Sequence, residues 1–145
     1  SMPFYSPLSD DRKFRVMLLG ELEKQVLQYL WDTDQADAKQ VHAHFKKRRG
    51  GSLNTIQSTL DRLFKKGLLL REKHGHAFQY MAAIERQAFI GQLIMDVTSD
   101  FSTDDKNPLL AAFTSMSSAF NEDQLDELEQ LIDARRAKTR LDKQS

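Results

Sequence analysis

Cysteine is absent from the 145 residues, which removes disulfides, thiolate metal sites and cysteine catalysis together. Long apolar runs are missing too. No stretch approaches the roughly 18 uninterrupted apolar residues of a spanning helix, and no apolar signal-peptide core follows a basic start. A cytoplasmic address with no membrane partner is the expectation. No glycine-rich phosphate loop, nucleophile elbow or pair of catalytic carboxylates is seen, so neither an enzyme nor a cofactor is expected. Histidine is scarce, at four residues. His42 and His44 stand two apart on a predicted helix and point to different sides, and His74 and His76 flank a predicted turn, where hydrogen-bonded wing histidines are the usual case; no metal site is expected. Ser1 ahead of Met2 reads as a tag-removal scar and enters no fold argument.

Hydrophobic residues make up 40% and charged residues 29%, the composition of a soluble globular chain. The zero net charge conceals an asymmetry. Residues 1–80 hold 14 Lys+Arg against 9 Asp+Glu, a net of +5, and residues 81–145 hold 7 against 12, a net of −5. The basic half is concentrated in Lys46, Lys47, Arg48, Arg49, Arg62, Lys65, Lys66 and Arg71, a stretch whose only acid is Asp61. Such a patch attracts a polyanion, because neutralising phosphates releases condensed counterions.

Periodicity assigns the elements. Residues 3–18 form an N-terminal extension whose run from Phe14 to Leu19 fits either a helix turn or an edge strand. A first helix is predicted over about 20–32, with Leu22, Val26, Leu27 and Leu30 at helical spacing. Asp37 and Gln40 form a capping-box variant opening a short second helix. A basic loop, Lys46 to Gly51, leads to Ser52 as N-cap of a third helix over about 53–66. On that helix Leu53, Ile56, Leu60, Leu63 and Phe64 share one arc, while Asn54, Thr55, Ser58, Asp61, Arg62 and Lys65 share the other. Gln57 sits at the boundary. Gly67 is the expected C′ glycine, and Leu68–Lys73 and Ala77–Met81 read as two strands joined around His74-Gly75. Three helices and a hairpin in this order predict a mainly α fold with a small β wing: a winged helix-turn-helix domain over 19–83, wing 68–81.

Residues 84–145 read as a helical dimerisation region. A fourth helix over about 85–100 carries Phe89, Ile90, Leu93, Ile94 and Val97, the last four expected to dimerise, and Thr98 to Lys106 is a polar interruption. Asn107-Pro108 is a helix start for Phe113, Met116 and Phe120. Asn121 with Gln124 caps a last helix bearing Leu125, Leu128 and Ile132, with Arg135, Arg136, Lys138 and Arg140 trailing it, a tail that could touch DNA but whose more usual use is to complement the macrodipole. These stripes cannot close a core alone and predict a homodimer.

The second helix of a helix-turn-helix lies in the major groove. The amides of Asn54 and Gln57 suit bidentate contact with adenine, Arg62 suits guanine or phosphate, and Thr55 and Ser58 suit phosphate or a thymine methyl. Lys65 and Lys66 beyond them are predicted phosphate anchors. The rival reading is a winged-helix docking module that never touches DNA.

The chain resembles the penicillinase and methicillin-resistance repressors and their copper-responsive relatives (the BlaI/MecI/CopY family). The resemblance rests on Leu19-Gly20-Glu21-Leu22-Glu23 through Val26-Leu27 to Leu30-Trp31, on Asn54 through Leu63 followed by Lys65-Lys66-Gly67-Leu68, and on Gly75-His76-Ala77-Phe78-Gln79-Tyr80. It covers residues 19–82 strongly and Pro108 to Asp133 more weakly. It implies a homodimeric transcriptional repressor on a palindromic promoter operator, with Thr55, Gln57, Ser58 and Arg62 at DNA-facing positions. It also implies a sensor protease as a partner, acting near Asp100-Phe101, where the antibiotic-responsive relatives are cut. The chain departs from the family at Asn54, where a basic or aromatic residue is common, at His76, where the wing often has Arg, and at Gly20, where Ser or Thr usually caps. The copper-responsive relatives bind metal through C-terminal cysteines, and here there are none.

Overall fold

The computed structural model describes residues 19–48, 51–101 and 107–144. The extension 3–18, Arg49 and Gly50 of the basic loop, and residues 102–106 lie outside the described residues. The chain divides into two compact units, one reaching Val97 and the other beginning at Thr98.

In the first unit, α1 (Glu21–Thr33), β1 (Gln35–Ala36), α2 (Ala38–Lys46), α3 (Leu53–Lys65), β2 (Leu69–His74), β3 (Ala77–Ala82) and α4 (Arg86–Asp100, which runs past the division) follow in order. The strands form one antiparallel sheet in the order β1-β3-β2. The two-residue β1, too short for any periodic signal, is an addition to the predicted hairpin. Asp34, at φ 69 and ψ −67, makes the tight reversal that brings it beside β3.

The caps explain where the helices begin. Asp37 accepts from the Gln40 N–H at 2.8 Å while the Gln40 side chain accepts from the Asp37 N–H at 2.8 Å, the reciprocal bonding of a capping box. Ser52 Oγ accepts from the Thr55 N–H at 3.1 Å. The end of α3 is a Schellman motif: the Gly67 N–H donates to Phe64 O at 2.9 Å and the Leu68 N–H to Leu63 O at 3.0 Å, and Gly67 takes the left-handed φ of 80 that the motif requires. The helix therefore ends at Lys65, with Lys66 as its cap.

The wing turn is Gly75-His76, one residue later than expected. His74 still pairs with Ala77 in the ladder, and Gly75 at φ 64 supplies the positive first position that a II′ hairpin needs.

The core is formed by Val26, Leu27 and Leu30 of α1, Val41 and Phe45 of α2, Ile56, Leu60, Leu63 and Phe64 of α3, and Leu68, Leu69 and Tyr80 from the hairpin side. Each fully buried leucine contributes about 1.5–3 kcal/mol. Thr59 is also fully buried, its hydroxyl satisfied by donating to Thr55 O at 2.8 Å.

Phe89 of α4 completes this core, at 8% exposure, with its ring 5.7 Å from that of Trp31. Trp31 Nε1 donates to Ile84 O at 2.8 Å, and Arg86 Nη2 to Asp32 Oδ1 at 2.8 Å. Ile84 and Leu93 pack partly on the same cluster. The boundary expected between 83 and 84 falls within this packing, which ties the start of α4 to the three-helix core.

The second unit holds α5 (Pro108–Met116), a 3₁₀ turn at Ser117–Ala119 and α6 (Glu122–Gln144). Asn107 caps α5, accepting from the Leu109 and Leu110 N–H groups. Asn121 and Gln124 cap α6 reciprocally, at 2.8 and 3.0 Å. One expectation is refined and one corrected here. Thr98 to Asp100, claimed both by the helix predicted over about 85–100 and by the polar interruption, belong to α4. Because α6 runs to Gln144, Arg135, Arg136, Lys138 and Arg140 lie within it and only Lys143 is a cation of its last turn, so macrodipole pairing, which fades beyond the last turn, does not account for them.

Candidate nucleic-acid interface

Burial of Ile56, Thr59, Leu60, Leu63 and Phe64 turns the opposite arc of α3 outward. Asn54, Thr55, Gln57, Ser58 and Arg62 are all exposed, so five of the residues singled out in the sequence share one accessible helix surface. Ser52 Oγ and Thr55 Oγ1 are 3.0 Å apart, which ties the Thr55 hydroxyl to the N-cap. Gln57 borders a cleft of about 210 Å³ between the start of α2, α3 and β3, together with Lys39, Phe78 and Tyr80. His76 is exposed at the wing turn.

The cations sort into different environments. Arg62 is exposed and its Nη2 donates to Thr59 Oγ1 at 3.1 Å. The Lys65 side chain, 72% exposed, pairs with Asp61 Oδ2 at 2.9 Å. Lys66 is drawn inward: its Nζ lies 2.6 Å from Glu23 Oε2, and the two side chains are 24% and 11% exposed. Glu23 also accepts from the Gly20 N–H at 3.2 Å, so one carboxylate caps α1, where glycine has no side chain to do so, and anchors the end of α3. Burial pushes the Glu23 carboxyl up, but the Lys66 hydrogen bond, the Gly20 N–H and the nearby Lys66 and Arg62 charges outweigh it and hold the pKa below the ordinary 4.5. Glu23 was not singled out in the sequence. Its spacing to Gly20 was visible, its pairing with Lys66 across 43 residues was not.

Between α3 and the wing, Arg71 Nη1 lies 3.4 Å from Asp61 Oδ1. The Lys65 hydrogen bond outweighs the desolvation that would raise it and, with the Lys65 charge and the Arg71 hydrogen bond and charge, holds the Asp61 pKa below its usual value. Burial raises the pKa of the Tyr80 hydroxyl, partly offset by the nearby Arg71 guanidinium.

Among the described residues no three His, Asp or Glu side chains converge as metal ligands. His44 stacks on Tyr29 at 4.4 Å, His42 Nε2 is 3.1 Å from Gly51 O, and His74 Nε2 is 3.4 Å from Glu72 Oε2. No described helix is long and apolar enough to cross a membrane.

The residues expected to dimerise lie in two places. On α4, Ile90, Ile94 and Val97 are 47–48% exposed, whereas Leu93 leans on the first core. In the second unit no residue of α5 or α6 is buried. Phe113, Met116, Leu125 and Ile132 are exposed, Phe120 and Leu128 are half-buried, and the Phe113 and Phe120 rings stand 5.5 Å apart.

A three-helix core, a two-stranded wing and an outward polar arc on the third helix define a winged helix-turn-helix protein. The chain belongs to the penicillinase repressor family, whose model matches residues 19–134. It is 28% identical over 115 residues to the transcriptional regulator BlaI of Mycobacterium tuberculosis (strain ATCC 25618 / H37Rv), covering 79% of this chain and 82% of that one. It is 29% identical over 76 residues to the penicillinase repressor of Bacillus licheniformis, covering 52% and 59%. Among solved structures, the DNA-binding domain of the repressor BlaI matches with 30% identity and a TM-score of 0.45 over 48% of this chain and 85% of that one.

Proposed function

We propose that this transcriptional repressor occupies a near-palindromic promoter operator as a homodimer, with α3 in the major groove and the β2–β3 wing on the backbone. The observation that carries the reading is the exposed arc of α3. Asn54 and Gln57 present amides suited to adenine, Arg62 a guanidinium suited to guanine or phosphate, and Thr55 and Ser58 hydroxyls suited to phosphate or a thymine methyl. Lys65 and His76 extend the contact to phosphates on either side. Lys66 is assigned to Glu23 instead.

Dimerisation through the exposed apolar positions of α4, α5 and α6 is supported by their exposure, since large contiguous apolar stripes are seldom left in water. A two-fold dimer places two copies of α3 about one helical turn, 10–10.5 bp, or a multiple apart. Phe101, 80% exposed just past α4, is where a sensor protease would act. Its role is tested by following chain length during induction: an intact chain removes the protease from the scheme.

Duplexes recovered from genomic DNA by the full chain, titrated across salt, test the central reading. Affinity should fall by roughly 0.9 log unit per log unit of salt for each phosphate contact. Arg62→Ala should weaken the selected duplex by about 1–3 kcal/mol, and sedimentation should give a dimer. No affinity for any duplex would leave the protein-docking reading in its place.

A further inference from the structure

We propose that Arg71 is a positioning residue that holds the wing at a fixed angle to the recognition helix, and that its charge does not serve a phosphate. The inference rests on the DNA-binding reading above. Arg71 lies on β2 opposite Tyr80, and its side chain is 23% exposed. Its guanidinium carbon is 3.8 Å from the Phe64 ring centroid and 4.2 Å from the Phe78 centroid, so the planar cation sits between two aromatic rings. Phe64 belongs to α3 and Phe78 to β3; Asp61, which Arg71 also reaches, belongs to α3. One side chain therefore touches both parts of the protein expected to meet DNA.

The chemistry selects arginine. A guanidinium is flat, weakly hydrated and able to stack while its edge keeps a carboxylate hydrogen bond, whereas an ammonium is a strongly hydrated point charge that cannot do both. The neighbouring cations are disposed differently. Lys65 shares Asp61 from the solvent side, and Lys73 Nζ stands 5.9 Å from the Phe78 centroid. Without the stacked cation the wing samples other angles, and only a fraction of the free protein is ready to bind. Apparent affinity falls by that fraction. The number of phosphates contacted in the complex does not change, so the salt slope does not either.

The test uses the full chain and a duplex selected from a random-sequence pool by the wild-type protein. Arg71→Met and Arg71→Lys should each weaken binding about tenfold, with a wild-type slope of log affinity against log salt. A phosphate ligand behaves otherwise: Arg71→Lys would bind nearly as wild type, and Arg71→Met would lose about 0.9 from the slope for each subunit, about 1.8 for the dimer. Either result overturns the proposal while leaving the DNA-binding reading intact. Phe78→Leu removes one ring and no charge, and guards against misfolding of the Arg71 variants. It should also weaken binding at unchanged slope, and wild-type affinity for it would equally overturn the proposal. A wild-type chain that binds no duplex overturns both readings at once.

Discussion

Glu23→Gln removes one charge and one acceptor at nearly constant shape. The amide oxygen can still accept from the Gly20 N–H, so the α1 cap survives, but the amide NH2 then faces the Lys66 ammonium and the hydrogen bond there is lost with the charge. Breaking a fully buried pair from one side costs about 3–5 kcal/mol, and an exposed pair is worth about 0–1. With side chains 11% and 24% exposed, Glu23 and Lys66 fall between these limits, and a loss of about 2 kcal/mol at pH 7 is expected. In a domain of this size that lowers Tm by roughly 8–16 °C. The pH dependence supplies a sharper check. The folded Glu23 pKa lies below 4.5, so the pair stabilises the fold above the unfolded value, and that contribution is lost as pH falls through the folded pKa. Urea unfolding of wild type, Glu23→Gln, Lys66→Met and the double variant, from neutral to acid pH, measures it. The single variants should be non-additive at pH 7, and the deficit of Glu23→Gln should close in acid. A deficit under about 0.5 kcal/mol at pH 7, the size of an ordinary surface change, or one of equal size at every pH, would refute the reasoning.

Phe89→Ala should cost about 3–5 kcal/mol, read by urea unfolding, although the residue stands outside the three-helix motif; a loss below 1 kcal/mol would detach α4 from the core. A chain ended after Val97 should keep the fold around Trp31, the only tryptophan. One ended after Ala83 removes Ile84, Arg86 and Phe89 from that indole, and its fluorescence should shift to the red at neutral pH. Identical emission from the two truncated chains would place the true boundary at 83.

Local signals were the legible part of the fold. The caps at Asp37, Ser52, Asn107 and Asn121 depend on residues within three positions of each other, and all four helices start where those residues stand. The arc of α3 was legible because burial of a helix follows its period. Thr59, assigned to neither arc, joins the core because its own helix satisfies its hydroxyl, and Leu53 and Asp61, expected on opposite arcs, are both half-buried. What could not be read were pairings between distant segments. Nothing in a two-residue stretch marks Gln35-Ala36 as a strand; β3 makes it one. Nothing in the amphipathic spacing of α4 reveals that Phe89 and Leu93 turn to the first core while Ile90, Ile94 and Val97 remain exposed.

The same limit governs the charges, and it changes the picture of the interface. Counted along the chain, Lys46 to Arg71 is a cationic patch with a single acid. In three dimensions Glu23 reaches Lys66 from another helix, and Asp61 is shared by Lys65 and Arg71. Two of the eight cations thereby become parts of the scaffold. Lys66 fixes the end of α3 against α1, and Arg71 fixes the same helix against the wing. Lys46, Lys47, Arg48, Arg62 and Lys65 remain exposed. The salt slope of duplex binding should accordingly reflect fewer contacts per subunit than the sequence count allows, since counterions are released only by charges that reach a phosphate. In the proposed complex the partly buried Glu23–Lys66 pair and the stacked guanidinium act earlier, by holding α3 and the wing in the relation at which the exposed cations would reach the backbone together.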